Sequence, residues 1–283
     1  MLSPPHVAFA APQNLLAVVP VDVSKGEVVA KVRICGKGPF TVLLDTGTAP
    51  SLIDLTLAKQ LGIKTQQAGQ AGSGGGNSKS QVYIASLPQL DLNGYTLRGV
   101  NSLAMDLSGL SRKFGQHLDG VLGDSVFDGR IVQFDYRGGV VRFFRNDPES
   151  SGVTLSFVHS GNEVHLKGVR VNHRAITANL DTGSNSAFQL TPRGIRRLHL
   201  TAVAVGAKRH QSAGFNGNYQ SRSGKLSSVD IGPIHKSSPD VTYWLPGTGH
   251  DDREFDINIG NGFMRQYVVT IDYLHHVVRL QKH

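Results

Sequence analysis

Apolar residues in this chain recur at every second position or in short runs, and each run is closed by Gly, Asn or Pro. That is the pattern of strands joined by tight turns. Residues 15–21 form the first strand candidate, interrupted at Pro20. Val28, Ala30, Val32 and Ile34 alternate along a second, and Gly36-Lys37-Gly38 turns into a third over residues 40–44. Leu52, Leu55, Leu57, Ala58 and Leu61 then fall at helical spacing, with Asp54 placed to cap the helix and Gly62 to stop it. A glycine-rich tip at residues 69–77 leads into strands expected at 81–85, 87–92 and 95–101, the last two joined by an Asn93-Gly94 turn. Residues 118–123 are strand-like, 131–143 read as a hairpin, and 146–152 carry the composition of a linker.

The same order then returns. Strands at 164–171 and 175–180 flank an Asn172-His173 turn, a helical segment around Ile195 and Leu198 follows, and residues 214–219 stand where the first half has its glycine-rich tip. Asp256, Gly260, Val269, Asp272, Tyr273 and Arg279 match Asp119, Gly123, Val132, Asp135, Tyr136 and Arg142, each 137 residues earlier. The most distinctive repeat is Leu44-Asp45-Thr46-Gly47-Thr48, which recurs 136 residues on as Leu180-Asp181-Thr182-Gly183-Ser184. An offset so nearly constant indicates an internal duplication. It predicts one lobe over residues 15–147 and another over 148–283, preceded by a disordered or processed segment at 1–14.

The repeated motif has its own chemistry. A strand ending in Asp-Thr-Gly carries a carboxylate at its tip, where the chain must turn. Gly47 and Gly183 allow a close approach that a Cβ would resist. The hydroxyls of Thr46 and Thr182 both donate and accept, so they can brace one loop against its twin. Two such loops face to face would bring Asp45 and Asp181 together, and two carboxylates in contact share a proton and titrate as a pair.

On the two Asp-Thr-Gly motifs and Asp119-Gly120-Val121-Leu122-Gly123, the chain resembles aspartic peptidases of the retropepsin and pepsin type. The segment after the first motif is similar to that of bacterial retropepsin-like proteins. The resemblance implies an all-β fold of two duplicated, closed β-barrel-like lobes of acid-protease type, with a cleft between them and one short helix per lobe. It implies an aspartic endopeptidase in which Asp45 and Asp181 activate a water, supported by Thr46, Gly47, Thr48, Thr182, Gly183 and Ser184. Thr48 and Ser184 are expected to hydrogen-bond the neighbouring carboxylates, favouring an acidic optimum. Gly74, Gly75, Tyr83, Gly217 and Tyr219 are candidates for mobile flaps by position. Because both lobes lie in one chain, no oligomer is required to build the site. Asn179 and Asn258 depart from the family pattern, where apolar residues stand. They point to an unusual hydrogen-bond network or to decayed activity in the second lobe. A non-catalytic peptide- or polymer-binding module on the same scaffold is the competing expectation.

Composition narrows the alternatives. The 33 glycines favour a turn-rich β protein over a helical bundle, and the single cysteine, Cys35, excludes an intramolecular disulfide. The net charge of +8 is dispersed, with no nucleic-acid motif or interleaved aromatic and basic residues, so nucleic acid is not an expected partner; the partner that the resemblance implies is a peptide or protein substrate. None of the twelve histidines adjoins a nucleophile-elbow pattern, and His250-Asp251-Asp252 and His275-His276 lack metal-ligand spacing, so no metal or cofactor is expected. No apolar run reaches the ~20 residues of a membrane span. Ala8-Phe9-Ala10 before Ala11-Pro12 looks like the cleavage end of a truncated signal peptide, predicting a periplasmic or secreted protein.

Overall fold

The computed structural model describes residues 14–71, 76, 79–148, 151–160, 163–214 and 217–283. Residues 1–13 of the segment expected to be disordered or processed (1–14), the flap candidates Gly74 and Gly75, and linker residues 149 and 150 lie outside the described residues. The alternating pattern produces a mostly β protein, 55% strand and 13% helix, with a closed six-strand barrel.

The first half runs β1 (Leu15–Asp22), β2 (Val29–Ile34), β3 (Lys37–Leu44), β4 (Ser51–Asp54), α1 (Leu55–Gln60), β5 (Thr65–Ala71) and β6 (Ser80–Leu92). It continues with β7 (Tyr95–Met105), α2 (Ser108–Phe114), β8 (Gly120–Leu122), α3 (Asp124–Phe127), β9 (Ile131–Asp135) and β10 (Val140–Phe144). The second half runs β11 (Val153–Ser160), β12 (Glu163–Val171), β13 (Arg174–Asp181), β14 (Phe188–Leu190), α4 (Pro192–Arg197), α5 (Thr201–Gly206) and β15 (Lys208–Gly214). After these come β16 (Gly217–Lys225), β17 (Ser228–Ile231), β18 (Ile234–Ser237), β19 (Asp240–Trp244), β20 (Ile257–Gly260), α6 (Asn261–Met264), β21 (Tyr267–Asp272) and β22 (Val277–Lys282).

The barrel closes in the order β2-β3-β8-β4-β7-β6 and back to β2. In the second half the pairings run β12-β13-β20-β14-β19-β16, and β17 returns to β12. Between β16 and β17 the chain bends at Leu226 and Ser227. Leu226 N–H to Pro239 O (3.1 Å) and Ser238 N–H to Ser227 O (2.9 Å) carry the pairing across that bend. A six-stranded antiparallel sheet, β1-β10-β9-β21-β22-β11, takes three strands from each half. β1 does not end at Pro20. It leaves β10 there and pairs with β2 from Val21, changing partners at the residue that has no N–H to give a ladder. One apolar core runs through both halves, including Phe134, Val141, Val269 and Val278 of the shared sheet.

The expectation of one helix per lobe is corrected. Three short helices occur in each half among the described residues. Asp54 caps α1 as expected, accepting from Thr56 N–H (2.9 Å) and Leu57 N–H (3.2 Å), whereas Leu52 belongs to the preceding strand. α3 and α6 are single turns, too short to show a helical period, and the exposed residues of α2 hide its two buried side chains, Leu110 and Phe114.

The chain leaving β8 passes so close to the first Asp-Thr-Gly loop that a Cβ on Gly123 would lie 2.0 Å from the Thr48 carbonyl oxygen. Gly123→Ala is therefore expected to cost about 3 kcal/mol in urea unfolding. Gly206→Ala, which meets nothing within 4 Å, is expected to be neutral or slightly stabilising in the same measurement.

Candidate active site

Each motif is delivered by a strand pinned on both sides. Thr41 N–H, in β3, donates to the Asp119 carboxylate (2.7 Å), and Thr177 N–H, in β13, donates to that of Asp256 (2.9 Å). β3 then lies parallel to β8, and β13 parallel to β20, so each aspartate emerges beside a strand that reaches a glycine, Gly123 just after β8 and Gly260 at the end of β20.

The two loops are tied reciprocally. Thr46 N–H donates to Thr182 Oγ1 (3.0 Å) and Thr182 N–H to Thr46 Oγ1 (3.1 Å). Each hydroxyl passes its own hydrogen across, Thr46 Oγ1 to Leu180 O (2.9 Å) and Thr182 Oγ1 to Leu44 O (2.8 Å). Thr182 and Thr46 are fully buried, so no water competes for these four bonds. Asn261 donates from Nδ2 to Thr182 O (2.7 Å), and its Oδ1 accepts from Tyr136 Oη (2.7 Å), tying the end of β9 to the second loop.

The brace brings the carboxylates together. A Cβ on Gly183 would sit 2.4 Å from Asp45 Cγ, and one on Gly47 would sit 3.0 Å from Asp181 Cγ. Only glycine leaves room for the opposite carboxylate at either place. Gly47 N–H donates to Asp45 Oδ1 and Gly183 N–H to Asp181 Oδ1, both at 2.8 Å. Burial, and then the charge of Asp181, pushes the Asp45 carboxyl up to about 7.

Beyond these bonds the two sides differ. Thr48 Oγ1 donates to Asp45 Oδ2 (2.6 Å), as expected. Ser184 does not take the corresponding role. Its hydroxyl donates to Gln189 Oε1 (2.8 Å), and Asn258 Nδ2 reaches Asp181 Oδ2 instead (2.6 Å). The hydroxyl expected at Asp181 is thus replaced by an amide, because residue 258 presents a polar side chain closer to the carboxylate.

A cleft of about 700 Å³ opens over the pair. One wall is apolar, formed by Leu43, Leu52, Val82, Met105, Leu110 and Phe114. The other carries Tyr219, Trp244 and His250, with the His250 ring stacked on Trp244 (3.9 Å between centroids) and Tyr219 edge-on to it (4.9 Å). Burial pushes His250 down to about 3, so it is a neutral ring in this wall. Gly76 N–H donates to Thr248 O (3.1 Å), joining the first half's glycine-rich tip to the loop that holds His250.

Of the described flap candidates, Tyr219 lines the cleft, while Tyr83 packs against the main core and Gly217 turns the β15–β16 hairpin. Sequence reasoning missed Leu110, Phe114, Trp244 and Gln189. Leu110 and Phe114 stand four residues apart, but the exposed residues around them mask that spacing, and nothing local placed Trp244 or Gln189 beside the motifs. His275 bonds Asp272 (2.8 Å) in a surface turn, away from the cleft lining. Among the described residues no group of His, Cys, Asp or Glu is arranged to hold a metal ion, and no helix is long and apolar enough to cross a membrane.

Residues 30–126, which include the first motif, match the family model described as aspartyl protease. That match supports a hydrolase of the protease kind. Comparison with curated proteins gives no match.

Proposed function

We propose that the chain is an aspartic endopeptidase built of two tandem, duplicated lobes, residues 15–147 and 148–283, with Asp45 and Asp181 as its catalytic pair. The observation that carries this reading is the reciprocal Thr46–Thr182 brace, which holds two carboxylates against each other at the floor of an open cleft. In the reaction, the ionised carboxylate takes a proton from a water lying between the two, and the water oxygen attacks the peptide carbonyl carbon. The protonated carboxyl hydrogen-bonds the carbonyl oxygen and gives it its proton, forming a neutral tetrahedral diol. Collapse of the diol breaks the C–N bond, with a proton passing to the leaving amine, and no covalent intermediate forms. The contrasting walls favour an extended peptide that lays a large aliphatic or aromatic side chain against Leu43, Leu52 and Phe114.

Asp45 holds its proton below about pH 7 and releases it above. The proposed acid is then lost, so cleavage of a fluorogenic peptide is expected to fall as pH rises through about 7, with its optimum on the acidic side. A rate still climbing at pH 8 would contradict the assignment. Digestion of a peptide library with and without a statine-type inhibitor tests the function directly. Inhibitor-sensitive cleavage supports the enzyme, and tight binding of peptides without any cleavage supports a binding module instead.

A further inference from the structure

Asn179, Asn258 and Gln189 occupy three neighbouring strands at one level, since Asn258 is paired with Asn179 across β13–β20 and with Gln189 across β20–β14. Their side chains form a chain of amides. Asn179 Nδ2 donates to Asn258 Oδ1 (2.8 Å), and Asn258 Nδ2 donates to both Asp181 Oδ2 (2.6 Å) and Gln189 Oε1 (3.0 Å). In the first half the same level is held by Leu43, Val121 and Leu52, all apolar. Three apolar positions replaced together by three mutually bonded amides make a built feature, not scattered loss of a core.

The direction of the chain follows from hydrogen-bond capacity. As placed, the one orphan is the Asn179 carbonyl oxygen. Reversing all three amides would instead leave the two N–H groups of Asn179 buried without acceptors, which is worse. Asn258 therefore presents N–H to Asp181, and an amide N–H cannot become an acceptor. The group facing Asp45 at the matching place is the Thr48 hydroxyl, which can turn and accept from a protonated carboxyl. Asp45 is also the more deeply buried of the two carboxylates, which disfavours charge there.

We propose that Asn258, held by Asn179 and flanked by Gln189, is a positioning residue that keeps the charge of the pair on Asp181 and the proton on Asp45, making Asp181 the base and Asp45 the acid. This rests on the reading of the two aspartates as the catalytic pair.

Other groups facing the pair do not create this bias. Lys113 of α2 attracts both carboxylates. Tyr136, Tyr219 and Tyr273 are all raised by burial and stay neutral, as does His250. Glu27 is also raised by burial, and Glu163 is engaged by Arg253. Asp252 and Glu254 are exposed on the cleft lining.

The test is a pH titration of ¹³C-labelled aspartate carboxyls by NMR in the full chain without substrate, so its outcome does not depend on peptide cleavage. In Asp45→Asn the remaining Asp181 is expected to titrate at lower pH than the Asp45 that remains in Asp181→Asn; the reverse order overturns the proposal. In Asn258→Leu the Asp181 midpoint is expected to rise by about one to two pH units, the ten- to hundredfold effect of losing a charge-assisted hydrogen bond. An unmoved midpoint also overturns it. If Asn258→Leu does not fold, Asn258→Ser and the order in the two aspartate variants still decide. With a cleaved peptide in hand, the acid limb of kcat is expected to move up in Asn258→Leu. A uniform loss at every pH would mark a purely structural role and count against the proposal. Failure of wild-type cleavage would instead count against the peptidase reading while leaving the proton assignment measurable.

Discussion

Asp45→Asn and Asp181→Asn are each expected to lower peptide cleavage by about 10²- to 10⁴-fold, the range set by removing a positioned acid or base. The substitution is nearly isosteric, so the Gly47 and Gly183 N–H bonds to the retained side-chain oxygens persist. What is lost is proton exchange: an amide neither takes a proton from water nor gives one to a carbonyl. Near wild-type cleavage by either variant would end the dyad assignment.

Stability supplies a second readout of Asp45→Asn, and its sign follows from the raised carboxyl. In the unfolded chain Asp45 ionises near the ordinary aspartate value of 3.8, whereas in the folded protein it keeps its proton to about 7. Between those values the unfolded state binds fewer protons, so stability falls as pH rises through the window. Asn carries no such penalty. The melting temperature of Asp45→Asn relative to wild type is therefore expected to increase from pH 4 to pH 8. A difference that stays flat across this range would mean that the Asp45 carboxyl is not raised in the folded protein.

Thr182→Val is expected to be the most destabilising single change at the junction of the two motifs. It keeps the shape of the side chain but removes the acceptor of Thr46 N–H and the donor to Leu44 O, both deeply buried. Each orphaned group costs about 1–3 kcal/mol, so a loss of about 3–5 kcal/mol is expected in chemical unfolding. Thr46→Val should cost a similar amount. The double variant should cost less than the sum, because the two hydroxyls belong to one network. Thr182→Ser keeps the hydroxyl and should recover most of the stability. Equal losses in Thr182→Val and Thr182→Ser would trace the effect to methyl packing and not to the hydrogen bonds.

Much of the scaffold was legible from short-range pattern. The alternation of residues 28–34 marks β2, the Asn93-Gly94 turn joins β6 to β7, and Asp54 caps α1, because each feature is governed by neighbours within a few residues. α3 and α6 were hidden for the converse reason: a single turn has no period to read. The contact between the Asp-Thr-Gly loops was anticipated from their recurrence, and each Thr hydroxyl does bond the backbone of the opposite loop. The role of Ser184 was not, since its hydroxyl turns to Gln189, a residue whose position beside the carboxylate is set by strand pairing.

The sequence by itself determined the β character, the recurrence of the motif and the two carboxylates worth watching, because residue type and spacing carry those directly. Tertiary structure alone decided what surrounds each carboxylate. Asn179, Asn258 and Gln189 lie up to 79 residues apart and become one amide chain only when β13, β20 and β14 align. Likewise, Trp244 and His250 become a cleft wall only through the fold. A hydrogen bond acts over about 3 Å, and which atoms come that close is fixed by strand register across the sheet, not by order along the chain.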